Sequence, residues 1–245
     1  MRVTGGVIRG ADDPEYVRSQ YQDESGLQAR KAIYAEIGGV DARDVAFEAV
    51  REAEPERVLE VGCGEGELAE RLVSELGVEL IALDQSERMV ELTQARGVDA
   101  RVGDVQELPF EDGSFDLAVA AWMLYHVPEL DTALRELARV LRDGGRLVAV
   151  TNYATHLSEM FNLVGLERWD LPFGGESGAA LLARHFSHVE ARDGIGTVVF
   201  SGAEPIRSYL RSSTRLAAYA DRVPELDEPL TAHRRCVVFV ADKGS

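Results

Sequence analysis

Two cysteines, Cys63 and Cys236, are all that the 245 residues contain. Two thiols supply neither a disulfide framework nor a tetrahedral metal set, so both read as small buried or half-buried fillers and no metal is expected. Lysine is equally scarce: Lys31 and Lys243 stand alone, and the remaining positive charge is scattered arginine. The formal net charge is −17. A surface that acidic repels phosphate backbones and anionic headgroups, which argues against nucleic acid or membrane as a partner. No apolar run approaches the roughly 20 residues that span a bilayer. Met1 to Gly10 carries two arginines and no apolar core of signal-peptide length. Internal repeats and low-complexity linkers are missing too. With 45% hydrophobic residues the composition is that of a globular protein. The expectation is a cytoplasmic, single-domain protein, monomeric or homodimeric.

What is present is a rhythm. Leu27 to Ile37 has helical spacing, and Asp41 can cap a helix running through Glu52 to a stop at Pro55. Arg57 to Val61 then reads as a buried strand, and Glu65 to Leu76 as a helix closed by Gly77. The alternation repeats: strand 79–83, helix 86–96, strands 99–102 and 115–120, helix 130–141, strand 146–151. Strands and helices alternating at this spacing imply βαβ units and a parallel sheet covered on both faces. After Asn152 the rhythm breaks. Residues 155–185 and 204–220 read as mainly helical, 188–200 and 236–240 as strands. The division expected is a core over about 40–152 and 186–245, an N-terminal helical cap over 1–38, and lid elements over about 155–185 and 203–222.

The chemistry starts at Glu60-Val61-Gly62-Cys63-Gly64-Glu65-Gly66, between a buried strand and a helix. Glycines there let backbone pass close beneath a ligand, and the helix N-terminus adds its free amides. Three alternating glycines exceed what a plain turn requires. Dinucleotide loops favour G-x-G-x-x-G, whereas here the third glycine comes one residue early and Glu67 takes the later place. Glu60 and Glu65 would repel a pyrophosphate but suit a ligand bearing an ammonium and a sulfonium, as in S-adenosylmethionine. Asp84, ending the second strand, can accept from both ribose hydroxyls, in NAD and S-adenosylmethionine sites alike; as a plain alternative it starts the next helix. Gly103-Asp104-Val105 ends the third strand, where an aspartate can accept from an adenine amine or simply make a turn.

These segments resemble class I S-adenosylmethionine-dependent methyltransferases of the type 11 branch. The resemblance rests on residues 58–66, Leu83 to Ser86, Gly103 to Val105, Leu108 to Asp116, and Arg139 to Leu147, five ordered motifs within about 55–151. The family usually has proline where Asp143 stands, in a turn. The resemblance implies a Rossmann-like, seven-stranded, mostly parallel sheet with helices on both faces, an antiparallel last strand and a helical lid insertion. It implies S-adenosylmethionine as cofactor, S-adenosylhomocysteine as product, and a small-molecule acceptor of quinone or natural-product type. Glu60, Gly62 and Gly64, with Cys63 between them, would line the methionine part. Asp84 would hold the ribose, with Gln85 and Met89 beside the adenine, and Gly103, Asp104 and Val105 would meet the ring. Ala121 and Trp122 would pass under the sulfonium. Tyr21 or Arg30 would reach the cofactor carboxylate.

The motifs are silent on the acceptor. Its candidates follow the fourth and fifth strands, at the ends where α/β sheets bind ligands. Tyr125, Asn152, Tyr153, Trp169 and Phe173 are acceptor-side candidates. His126 is a candidate on both the cofactor and the catalytic side, although a loop-shaping role before Val127-Pro128 explains it equally well. His156 is the preferred candidate base. Met160, Phe161, Trp169, Phe173, Phe200 and Tyr209 can enclose a ring-bearing acceptor or pack as a lid core. Three other readings stay open: an NAD-dependent oxidoreductase, a non-catalytic S-adenosylmethionine-binding protein, and an RNA methyltransferase. The first is disfavoured by the loop carboxylates and the last by the charge.

Overall fold

The computed structural model describes residues 6–15, 17 and 37–244. The core is an α/β sandwich. Strands β3 (Arg57–Val61), β4 (Glu79–Asp84), β5 (Asp99–Val102), β6 (Phe115–Ala121) and β7 (Leu141–Asn152) run parallel. β10 (Leu230–Asp242) lies antiparallel between β7 and β9 (His188–Phe200). Those seven strands are the sheet the resemblance implies, with β10 as its antiparallel last strand. An eighth, β2 (Ile37–Gly39), pairs with β9 at the far edge, giving the order β2-β9-β10-β7-β6-β3-β4-β5. The sequence reading put residues 37 and 38 at a helix end; the backbone from 37 to 39 is extended.

The inner strands β3 and β6 and the Leu147–Thr151 stretch of β7 are buried on both faces, which is why they are continuous apolar runs, whereas the edge strand β5 buries only Ala100. One face packs Leu59, Val61, Ala118, Ala120, Leu147 and Ala149 against helix α4 (Leu130–Val140). The other packs Val58, Leu117, Val119, Val148 and Val238 against α1 (Ala42–Arg51), α2 (Glu67–Leu76) and α3 (Glu87–Ala95). The expected caps are in place. The Asp41 side chain accepts from Arg43 N, the Ser86 side chain accepts from Met89 N, and Gly77 closes α2 in the left-handed conformation.

The lid is less helical than its composition led us to expect. Within 155–185 the helices are the short α5 (Ser158–Asn162) and α6 (Gly178–Leu182), separated by β8 (Arg168–Trp169). β8 pairs in parallel with β1 (Val7–Ile8), a long-range contact that no local pattern announces. α7 (Ala203–Arg211) is followed by a 3-10 segment at Ala217–Arg222. These pieces share a small core in which Met160, Phe161, Phe200, Ile206 and Leu210 are fully or almost fully buried. No helix among the described residues is long and apolar enough to cross a membrane.

Candidate active site

The C-terminal ends of the parallel strands open into a cavity of about 700 Å³, a size suited to small organic ligands. Its first wall is the loop after β3. Gly62 has φ +69, and a Cβ added there would lie 2.7 Å from Met123 Cβ, so only glycine fits both backbone and space. Thr93 of α3 anchors the same loop, its hydroxyl donating to Gly64 O at 2.9 Å. That contact crosses 29 residues of sequence and was not legible in the motif.

Beneath the loop lies Glu60, 2% exposed, on the cavity wall. Its Oε2 is buried without a hydrogen-bond partner among the described residues. Burial, and secondarily the charge of Asp84, push its pKa up to about 8. An unmatched buried carboxyl is costly, and a cation brought beside it would offset that cost.

Asp84 ends β4 on the same wall. Its Oδ2 accepts from Gly64 N at 3.0 Å and its Oδ1 from Ser86 N at 2.9 Å. Burial raises its pKa, and the backbone N–H groups of Ser86, Gly64 and Gln85 oppose that rise. Asp84 therefore ties the glycine loop to the start of α3 while facing the cavity, so the structural and ligand-binding readings of this residue are compatible. Gln85, Gly103 and Val105 continue the wall.

Ala121 ends β6 and Trp122 follows it, with a positive φ of 54°, an outlier for a bulky residue. Its N–H donates to Val150 O at 2.9 Å, and the reversal places Met123 against Gly62. Tyr125 and His126 lie in a 3-10 turn at Leu124–His126 and also line the cavity. His126 Nδ1 donates to Ala11 O at 2.7 Å, tying the N-terminal segment to the cavity wall. Arg215 holds the same segment from the lid, donating to the carbonyls of Arg9 and Gly10 and to Asp13.

The far wall comes from β7, β10 and the lid. Asn152, His156, Trp169 and Tyr209 face the cavity with Cys236 and Arg234. His156 is 6% exposed, and burial depresses its pKa to about 4. Its Nδ1 meets Arg235 O at 3.3 Å. A carbonyl only accepts, so Nδ1 carries the proton and Nε2 the lone pair. Both cysteines are free and buried, as expected, and burial raises Cys63 to about 12 and Cys236 to about 11. They are thiols on the wall, not nucleophiles.

Four expected site residues lie elsewhere. Met89 is a fully buried residue of α3 and is not on the cavity wall. Asp104 turns into its own loop, accepting from Gln106 N at 2.8 Å and from Gln106 Nε2. Tyr153 donates to Asp193 Oδ1 at 2.9 Å outside the cavity. Phe173 is a core residue packed edge-on to Phe239, 5.9 Å between centroids. Tyr21 and Arg30 lie outside the described residues. Conversely, Asp41, Arg43, Arg71 and Arg234 line the cavity unannounced. Arg234 was legible: the alternation that buries Val238 and Val240 puts Cys236 and Arg234 on the same face. Its guanidinium donates to Asp41 Oδ1 at 3.3 Å.

Residues 59–149 match the family model described as a methyltransferase domain. This stretch is similar to methyltransferase domains. Over 148 residues it is 32% identical to 2-phytyl-1,4-naphtoquinone methyltransferase of Synechococcus elongatus, covering 56% of this chain and 62% of that one. Over 100 residues it is 41% identical to 27-O-demethylrifamycin SV methyltransferase of Amycolatopsis mediterranei, covering 38% and 37%. The chain thus spans less than two thirds of either relative. Among solved structures it resembles phosphoethanolamine N-methyltransferase 2 of Haemonchus contortus, solved with phosphomonomethylethanolamine and S-adenosylhomocysteine. The TM-score is 0.61 at 16% identity, over 97% of this chain and 61% of that one. That likeness speaks to the fold, the Rossmann-like sheet.

Proposed function

We propose that this methyltransferase domain takes a methyl group from S-adenosylmethionine and delivers it to an O, N or C atom of a small, ring-bearing organic acceptor. The observation that carries the reading is Glu60: a buried carboxyl oxygen with no partner among the described residues, under a glycine loop, at the wall of a cavity of about 700 Å³. A pyrophosphate would hold Glu60 protonated and find no counter-charge there, which disfavours the oxidoreductase reading. A ligand carrying a sulfonium and an ammonium meets attraction. In this reading Asp84 would hold the ribose, Gln85, Gly103 and Val105 would meet the adenine, and Ala121 and Trp122 would lie near the sulfonium; all six line the cavity. Both named relatives are methyltransferases of small organic molecules.

S-adenosylmethionine, when bound, supplies a methyl group on positively charged sulfur. The chain's part is alignment and exclusion of water. Trp169 and Tyr209 descend from the lid and, with Tyr125, give the acceptor half aromatic walls. The N-terminal segment is bonded to His126 of the cavity wall and to Arg215. His156 is neutral above its depressed pKa and carries its lone pair on Nε2, which suits it to receive a proton from an acceptor hydroxyl or N–H.

Isothermal titration with S-adenosylhomocysteine tests the cofactor half, with binding expected in the micromolar range, about 8 kcal/mol. Radiolabelled S-adenosylmethionine offered with hydroxylated and carbonyl-bearing aromatic compounds tests the transfer, with label expected in an organic product. Binding of NADH in preference to S-adenosylhomocysteine would overturn the reading.

A further inference from the structure

Trp122, Asn152 and Cys236 form a fixed triad on the acceptor-side wall. Asn152 ends β7, and Cys236 is its partner across the β7–β10 pair. Trp122 Nε1 donates to Asn152 Oδ1 at 3.2 Å, and Cys236 Sγ donates to the same oxygen at 3.3 Å. An indole N–H is a donor only, so the amide atom facing it is oxygen and the orientation of the amide is determined. The Cys236 thiol, kept protonated by burial, adds a second donor to that oxygen. The indole is itself held in place, because the Trp122 backbone is pinned at φ 54° by its bond to Val150 O.

With Oδ1 occupied twice by protein donors, the two N–H bonds of Asn152 Nδ2 point away from them. Among the described residues nothing accepts from Nδ2, and Asn152 is a wall residue of the cavity. The same Cys236 sulfur lies 3.7 Å from His156 Nδ1, which places the amide and the imidazole on one patch of wall. We infer that Asn152 is a specificity-determining residue: its Nδ2 donates to an oxygen of the methyl acceptor, a carbonyl or a phenolate, and Trp122 and Cys236 fix the amide in the orientation that does so. The acceptor class is then a ring compound bearing an oxygen that accepts a hydrogen bond. Naming that ligand the methyl acceptor rests on the methyltransferase reading; recognition of the oxygen does not.

The test uses two probes of one shape, 2-acetylnaphthalene and its hydrocarbon counterpart 2-isopropenylnaphthalene, titrated into the full chain with and without S-adenosylhomocysteine. Both carry the ring, and only the first carries the oxygen. The parent is expected to bind the ketone about tenfold more tightly, the worth of one well-placed hydrogen bond. Asn152→Asp keeps an oxygen for Trp122 and Cys236 and replaces both donors by a lone-pair oxygen. It is expected to abolish the preference while leaving S-adenosylhomocysteine affinity and the emission of Trp122, read in a Trp169→Phe background, within about twofold of the parent. Asn152→Ala is expected to abolish the preference and also red-shift the Trp122 emission. Equal binding of the two probes by the parent, a preference that survives Asn152→Asp, or binding of neither probe overturns the inference. Failure of S-adenosylhomocysteine alone to bind, with the ketone preference intact, overturns the methyltransferase reading and leaves Asn152 in its role.

Discussion

Met123 occupies the space that a side chain on Gly62 would need: a Cβ there would stand 2.7 Å from both Met123 Cβ and Cγ. The loop after β3 and the turn after β6 are thus fitted to each other before any ligand arrives. Gly64, two residues on, has φ +55 and open space where its Cβ would go.

The two glycines are therefore expected to respond differently to alanine. Gly62→Ala meets both backbone strain and Met123, and should lower stability by about 2–4 kcal/mol, read by denaturant titration. Gly64→Ala meets strain alone, about 1–2 kcal/mol, but puts a methyl group on the cavity wall. It should fold and lose about tenfold or more in S-adenosylhomocysteine affinity. Equal stability losses for the two variants would remove the distinction.

Asp84 serves the loop and the proposed ribose at once, so a simple loss of binding on mutation is ambiguous. Comparing adenosine with 2′,3′-dideoxyadenosine isolates the ribose. The parent should favour adenosine by about 1–3 kcal/mol, the worth of hydrogen bonds to a charged carboxylate. Asp84→Asn, which keeps the shape and part of the backbone bonding, should shrink that gap. An unchanged gap would show that the hydroxyls are held elsewhere.

The parts of this molecule that were legible in its sequence are those governed by local periodicity and backbone chemistry. The strand at Asp99–Val102 and the strand at His188–Phe200 begin and end where the sequence places them, because breakers flank both: Gly97 and Gly103 about the first, Ser187 and Ser201-Gly202 about the second. Glu60, Gly62 and Asp84 were legible because a ligand-cradling loop requires those residue types at strand ends. What stayed hidden depends on contacts across long stretches of chain. The β1–β8 pairing joins residues 160 or so apart and has only two residues on each side to signal it. Phe173 and Trp169 read alike in sequence, yet one is buried against Phe239 and the other faces the cavity. Nothing in aromatic character distinguishes them; only the packing of α5 and α6 against the sheet does.

Glu60 makes the ligand-free protein sensitive to alkali. Its pKa is 4.5 when unfolded and about 8 when folded, so between those values the native state holds the extra proton. Stability should therefore fall as pH rises from about 4.5 to about 8 and level off above it. Glu60→Gln should flatten that slope and raise Tm at pH 8 by about 10 °C, because a pKa gap of this size is worth on the order of 4 kcal/mol and each kcal/mol shifts Tm by about 2–4 °C in a domain of this size. A cation bound beside Glu60 favours its ionised form, so S-adenosylmethionine affinity should rise with pH towards 8 and its binding should release protons. Calorimetry in buffers of different ionisation enthalpy checks this; proton release equal in Glu60→Gln and parent would sink the assignment.

His156 gives the opposite slope at lower pH. Its pKa falls from 6.5 in the unfolded chain to about 4 in the folded one, chiefly through burial. Between those values the unfolded state binds the extra proton, so this residue's contribution is full above about 6.5 and is lost as pH falls towards 4. Thermal melts from pH 4 to 7 should show the parent losing stability towards acid more steeply than His156→Gln, with Glu60 contributing equally to both. The same residue makes a kinetic prediction. If His156 takes the acceptor's proton, the acid limb of kcat/KM should break nearer pH 4 than 6.5, and His156→Gln should lower kcat about 100-fold or more while leaving S-adenosylhomocysteine affinity intact. A carbon acceptor that needs no early proton loss would leave kcat close to the parent's, and that result would move His156 from the chemistry to the packing of the β10 wall.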